Sequence, residues 1–218
     1  LIVLAPRNGK VFTPDTLAAV ADVTERAWLT PFSIRVDSLT NFQHTTASGD
    51  DLEVAPLVQD AQTLTDDDLS HIKTVALAEP ALISRLISSD ARITAINITV
   101  ELPGIDEATE NPKVAAAVRE LRDYVESTYP ELDVYLTGIV MMNQAFQEAA
   151  ISDTTQLIPA ALAIILLMVF LQLRGLTGML GSFIVIILSV IAAMGTAGWI
   201  GIRLTPPSMS APTIILTL

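Results

Sequence analysis

Cysteine is absent from all 218 residues, which removes any disulfide framework, any thiolate zinc site and any catalytic thiol. Histidine occurs only twice, at His44 and His71, with no local pattern of metal ligands. Both read as surface or packing residues, and the sequence calls for no metal or other cofactor. No nucleophile and base stand together, no glycine-rich loop is placed to cradle phosphate, and no carboxylates are paired, so the chain does not read as an enzyme. The Asp66-Asp67-Asp68 run lacks the alternating oxygen ligands of a calcium loop and reads instead as part of a helix cap. Asn97-Ile98-Thr99 has the form of a glycosylation sequon but falls inside an expected strand, and no glycan is inferred from it.

Acid is also missing from one whole region. Residues 157–218 contain only Arg174 and Arg203 as charges, whereas residues 1–156 carry 10 Lys and Arg against 24 Asp and Glu, a net charge of −14. A division this sharp implies two physical environments. The acidity of the first argues against a phosphate-backbone-binding surface, and nucleic acid is not an expected partner.

The acid-free region is where apolar runs are found. Residues 157–173 are apolar except for Gln172, and residues 176–202 follow after Arg174-Gly175 with no charge inside. An apolar helix of roughly 20 residues satisfies its own backbone across the hydrocarbon core, so both runs are expected to span a membrane. The first is short, about 25 Å at 1.5 Å per residue. Met142, Phe146, Ala149, Ala150 and Asp153 are spaced so that its helix can begin earlier, inside the soluble part. A third run starts near residue 210 and continues to Leu218, and the opening Leu1-Ile2-Val3-Leu4-Ala5 is read as the tail of a preceding span. Both ends therefore look cut.

Within the acidic part, Thr13-Pro14-Asp15 begins a helix to about Leu29, and Phe32, Ile34, Val36 and Leu39 include the alternation of a half-buried strand. A second strand is expected at Asp51-Leu52-Glu53-Val54, separated from the first by a polar stretch, Thr45 to Asp50. Thr65 with Asp68 forms a capping-box pattern ahead of Ile72, Val75 and Ala76. Ile93 to Val100 is β-branched at most positions and is the clearest strand. Asn111-Pro112 is read as the start of a long helix ending near Pro130, and Leu132, Val134 and Leu136 as a short strand before Gly138. The mixture suggests an α+β sandwich, one sheet with helices on one face.

These residues also carry a family resemblance. Val36-Asp37-Ser38-Leu39-Thr40-Asn41, followed by Gly49-Asp50-Asp51-Leu52-Glu53-Val54-Ala55-Pro56-Leu57-Val58, resembles the opening of the extracytoplasmic domain in exporters of the resistance-nodulation-division superfamily, MMPL-like branch. Downstream, the strand ending Thr137-Gly138 and the turn Phe170-Leu171-Gln172-Leu173-Arg174 are similar to the same family's order of elements. The resemblance implies an α+β extracytoplasmic porter domain of ferredoxin-like βαβ subdomains joined to an α-helical transmembrane bundle with a sterol-sensing-type arrangement. On that map residues 1–5 end one span, 6–152 form the porter domain, and 153–218 form the membrane domain, with spans at about 154–173 and 176–202 and the start of a third at 210–218.

The implied function is export of hydrophobic or amphiphilic molecules, lipids among them, driven by the proton-motive force from the inner membrane. Implied partners are membrane lipids, the amphiphilic substrate, the remainder of the transporter and, in some members, further copies of the chain. A non-transporting lipid-sensing or assembly module and a protein-secretion accessory are the rival readings. The family's proton-carrying acid normally follows a segment like Pro212 to Leu218, and no intramembrane acid lies within these residues. Arg174 and Arg203 at opposite ends of one run cancel in a charge count, so the outward placement of residues 6–152 rests on the resemblance.

Two features of the membrane part are singled out. Ser189, Ala193, Ala197 and Gly201 recur every four residues as a small-residue seam, for static bundle packing or for a sliding contact. Asp153 stands at the mouth of the first span, where it either stays wet at the interface or meets a substrate head group.

Overall fold

The computed structural model describes residues 1–48, 51–173 and 175–201. The chain divides into two compact units, residues 1–142 and 143–218. The first is a mixed α+β domain; the described residues of the second are helical apart from the turns at 175 and 200–201.

Among its described residues the first unit holds, besides a short 3-10 turn (Ala61–Thr63) and the start of a further helix at Ile139, six strands and three α-helices: β1 (Ile2–Pro6), α1 (Pro14–Ala27), β2 (Ser33–Asp37), β3 (Gln43–Ser48), β4 (Asp51–Pro56), α2 (Asp66–Ala78), β5 (Thr94–Val100), α3 (Glu107–Thr128) and β6 (Leu132–Leu136). Four strands form one antiparallel sheet in the order β2-β5-β1-β6. The units β1-α1-β2 and β5-α3-β6 each leave a one-strand gap that the other fills, an interleaved split βαβ arrangement.

Leu1 to Ala5, expected as the end of a membrane span, is the correction that matters most for the fold. Ile2–Pro6 is the interior strand β1, paired with β5 at Ile2↔Ile96 and with β6 along five positions from Ile2↔Leu136 to Pro6↔Leu132. A strand flanked on both edges and lined by core on one face reads as an unbroken apolar run, which by itself cannot be told from a helix end.

Pleat alternation decides which side chains face the helices. Ile2, Leu4, Val36, Ile96, Leu132 and Val134 share one face of the sheet and pack with Ala19, Val20, Val23 and Ala27 of α1 and Val114, Val118, Leu121 and Val125 of α3. Each fully buried Leu, Ile or Val stabilises the fold by about 1.5–3 kcal/mol. A second cluster gathers Leu17, Leu39, Ile72, Ala76, Leu82, Leu86 and Ile87 around α2.

Local signals explain several boundaries. Thr13 caps α1, its hydroxyl accepting from the Thr16 amide at 3.3 Å, with Pro14 at the first helical position. Thr65 and Asp68 close the expected capping box on α2. Thr45 to Ser48, read as a polar separator, is instead the greater part of β3, held by pairing with β4 from Gln43↔Pro56 to Ser48↔Asp51. Gly49 and Asp50 of the same stretch lie outside the described residues.

Helix α3 also begins earlier than Asn111-Pro112, at Glu107, and carries Pro112 in its interior. The earlier start follows from Glu110, whose buried carboxylate accepts the amides of Gly104, Ile105 and Asp106, each at 3.0 Å. These bonds organise the approach to the helix before the proline is reached, and hold the Glu110 carboxyl below its usual pKa, the Asp106 amide contributing most.

Helix α4 (Ile139–Ser152) begins at the end of the first unit, and in the second unit the helical run continues through a π turn (Asp153–Leu157) into α5 (Ile158–Leu173), with α6 (Leu176–Trp199) following. Gly138, at φ +108, sits between β6 and α4, where a side chain would be strained. The π turn has an identifiable cause: Pro159 lacks the N–H that would bond back one turn and crowds the preceding carbonyls. The hydroxyl of Thr155 covers the carbonyls of Ile151 at 2.9 Å and Ser152 at 3.1 Å, where the regular ladder is disturbed.

Candidate functional site: a polar cavity and two apolar helices

The family-like motif Val36 to Asn41 has a local structural task. The Asn41 side-chain oxygen accepts the Ser38 amide at 2.8 Å, its amide group donates to the Val36 carbonyl at 2.7 Å, and the hydroxyls of Ser38 and Thr40 bond at 2.9 Å. This knot turns the chain sharply at the end of β2 while Leu39 is driven fully into the second cluster. The amides of Leu57 and Val58 then return to the carbonyls of Phe42 and Thr40, clamping the root of the β3–β4 hairpin.

The turn forms one wall of a cavity of about 440 Å³ on the sheet face opposite α1 and α3. Strands β2 and β5 contribute Arg35, Asp37 and Asn97, which alternate with the core residues Val36 and Ile96. The segment between α2 and β5 contributes Ala81, Arg85 and Leu86, and the motif contributes Asn41 and Phe42. The Arg35 Nε donates to Asp37 at 2.7 Å, so the acid orients that guanidinium. Arg85 makes no side-chain hydrogen bond or ion pair among the described residues. Sequence reasoning missed this cavity. The alternation of Arg35 and Asp37 about Val36 was a usable signal; the aperiodic segment holding Arg85 offered none.

A smaller cleft of about 290 Å³ is more apolar, lined by Ile98, Val100, Val114, Val118, Ile139 and Val140 among others. It lies where β5, α3 and the start of α4 meet.

Among the described residues, two helical stretches are long and apolar enough to cross a membrane, Ile139–Gln172 and Leu176–Trp199. Neither buries its apolar window within the protein, and Ile164, Leu167, Leu180 and Leu188 all stand more than half exposed. Such surface calls for an apolar surrounding rather than water. Helices α5 and α6 pack together, and partly covered positions on them include Ala161, Ile165 and Val169 on one and Phe183, Ile186, Val190 and Met194 on the other.

The expected small-residue seam does not coincide with those positions. Ser189 and Ala193 are exposed, Ala197 is half-buried, and Gly201 lies beyond the end of α6 in a turn with φ +80. Ser189, Ala193 and Ala197 lie at four-residue spacing within α6, and only Gly201 falls past its end at Trp199. Asp153 opens the π turn with its side chain exposed. Arg174, Arg203, the last residue of the expected 176–202 span and the third run from 210 lie outside the described residues.

An α+β domain is thus joined in one chain to two apolar helices of the length that crosses a membrane. The chain belongs to the MMPL family, a transporter family of the resistance-nodulation-division superfamily, which matches it over residues 34–218. Neither the comparison with curated proteins nor that with solved structures returned a match.

Proposed function

We propose that the protein works as a proton-motive-force-driven exporter that moves hydrophobic or amphiphilic molecules, lipids among them, outward from the inner membrane or periplasm. The observation that carries the reading is the extent of the family match, which takes in most of the α+β domain and both apolar helices as one unit. The interleaved βαβ pattern of β1-α1-β2 and β5-α3-β6 supports it, since a ferredoxin-like porter domain has that order of strands. On this reading the α+β domain, with β1 (Ile2–Pro6) as part of its sheet, faces away from the cytoplasm, membrane lipids surround α5 and α6, and catalysis has no part in the cycle.

The test is efflux of a lipophilic dye and of labelled lipid from vesicles that contain the protein as it occurs in the cell, with and without an imposed proton gradient. Gradient-dependent efflux that is lost in vesicles lacking the protein supports the exporter. Absence of efflux with lipid binding intact overturns it in favour of a sensing or assembly role.

A further inference from the structure

We propose that the cavity bounded by Arg35 and Arg85 is a binding site for the anionic head of an amphiphile, with Arg85 as the principal contact. The proposal deepens the exporter reading and rests on it for its purpose, though not for the binding itself.

The first ground is the state of the two guanidinium groups. Asp37 engages Arg35 through Nε alone, and the terminal nitrogens of Arg35 make no bond to another described residue. Arg85 is exposed on the cavity wall with its whole donor fork unengaged among the described residues. A guanidinium is matched to phosphate or carboxylate oxygens, which it holds by two parallel bonds. The second ground is the electrostatic background. Residues 1–156 carry a net charge of −14, so the surface at large repels anions, and a cavity lined by two arginines against one acid, Asp37, is a local exception.

The third ground is backbone strain. Ser84, immediately before Arg85, has φ +58, a left-handed conformation that a residue with a side chain adopts at a cost of about 1–3 kcal/mol. It is held there by its amide donating to the Ile87 carbonyl at 2.8 Å, while the Arg85 and Leu86 amides both donate to Leu82. Leu82, Leu86 and Ile87 are buried in the second cluster. The core therefore fixes the tight loop that presents Arg85, and strain of this kind gathers at ligand clamps.

The fourth ground is the rest of the wall. Phe42, Leu86 and Ala81 add apolar surface beside the arginines, so the site suits a molecule that is charged at one end and apolar next to it. Its volume of about 440 Å³ lies within the range of small-molecule sites. The shared chemistry is a phosphate or carboxylate group, and the free anion and the amphiphile are separated by the test.

The whole protein in phosphatidylcholine nanodiscs is titrated calorimetrically with octyl phosphate, with octanol, and with inorganic phosphate. Octyl phosphate is expected to bind at least tenfold more tightly than either of the others. R85Q should weaken it about tenfold or more without changing the response to octanol, and R85K should fall between. Raising the salt concentration should weaken octyl phosphate on the unaltered protein, which tests the charge without any substitution. Equal binding of octyl phosphate by R85Q and the unaltered protein overturns the site. Inorganic phosphate binding as tightly as octyl phosphate overturns the amphiphile. Efflux in vesicles combined with Arg85-independent binding removes the site and leaves the exporter standing; Arg85-dependent binding without efflux does the reverse.

Discussion

The carboxylate of Asp22 on α1 accepts a hydrogen bond from the hydroxyl of Tyr129, the residue that ends α3, at 3.1 Å across 107 positions of sequence. The same oxygen accepts the Tyr124 hydroxyl at 2.9 Å, and Arg26, paired to Asp22, lies over the Tyr124 ring at 3.9 Å. The two rings meet edge to face at 6.5 Å. This group ties together the two helices that cover the sheet. Tyr129→Phe removes one bond to a carboxylate and is expected to lower stability by about 1–2 kcal/mol, read from chemical unfolding.

Burial, and after it the Asp22 charge, pushes the Tyr129 phenol from 10.0 up to about 12. A raised folded pKa means a contribution that is fully present below the unfolded value of 10.0 and is lost as pH rises through about 12. Ultraviolet titration should show one tyrosine ionising late, and Asp22→Asn should bring that ionisation to lower pH. Its persistence unchanged in Asp22→Asn would remove Asp22 from the cause.

Leu4 lies in β1 with no exposed surface, in the cluster shared by α1 and α3. Leu4→Ala is expected to destabilise the α+β domain by about 2–5 kcal/mol. A small effect on thermal unfolding would speak for a peripheral strand and against β1 as the core of the sheet.

Glu110 anchors three backbone amides, and its pKa is held down chiefly by the Asp106 amide. A depressed carboxyl contributes stability above its unfolded value of 4.5, and that contribution is lost as pH falls through the folded value. Glu110→Gln should therefore melt earlier than the unaltered protein at neutral pH, and the gap should narrow below pH 4.5. A gap independent of pH would mean that shape, not charge, secures the loop.

Pro159→Ala restores an amide donor just after the π turn. The turn is expected to tighten toward α-helical register, with the backbone amides at 155–158 and 160 exchanging about tenfold more slowly, which corresponds to about 1.4 kcal/mol of local stability. Unchanged exchange would assign the π turn to its surroundings rather than to the proline.

What the sequence determined by itself was whatever is encoded within a few residues. The Thr13-Pro14 start of α1, the Thr65–Asp68 box on α2, the β-branched run of β5 and the apolar lengths of α5 and α6 all follow from caps, propensity and hydropathy, and the structure has each of them. Tertiary structure alone decided the rest. Residues 2–6 are a strand because β5 and β6 flank them, Thr45 is in a strand because Val54 pairs with it, and α3 starts at Glu107 because Glu110 holds the preceding loop. Arg35 and Arg85 meet at one cavity, and Asp22 meets Tyr129, only after the interleaved sheet has formed. The β1 pairings, the Arg35–Arg85 cavity and the Asp22–Tyr129 bond join residues 50 to 134 positions apart, and no local window of sequence contains both sides of such a contact. The β3–β4 hairpin and the Glu110 loop close within about a dozen residues, but through polar residues that propensity alone reads as turn.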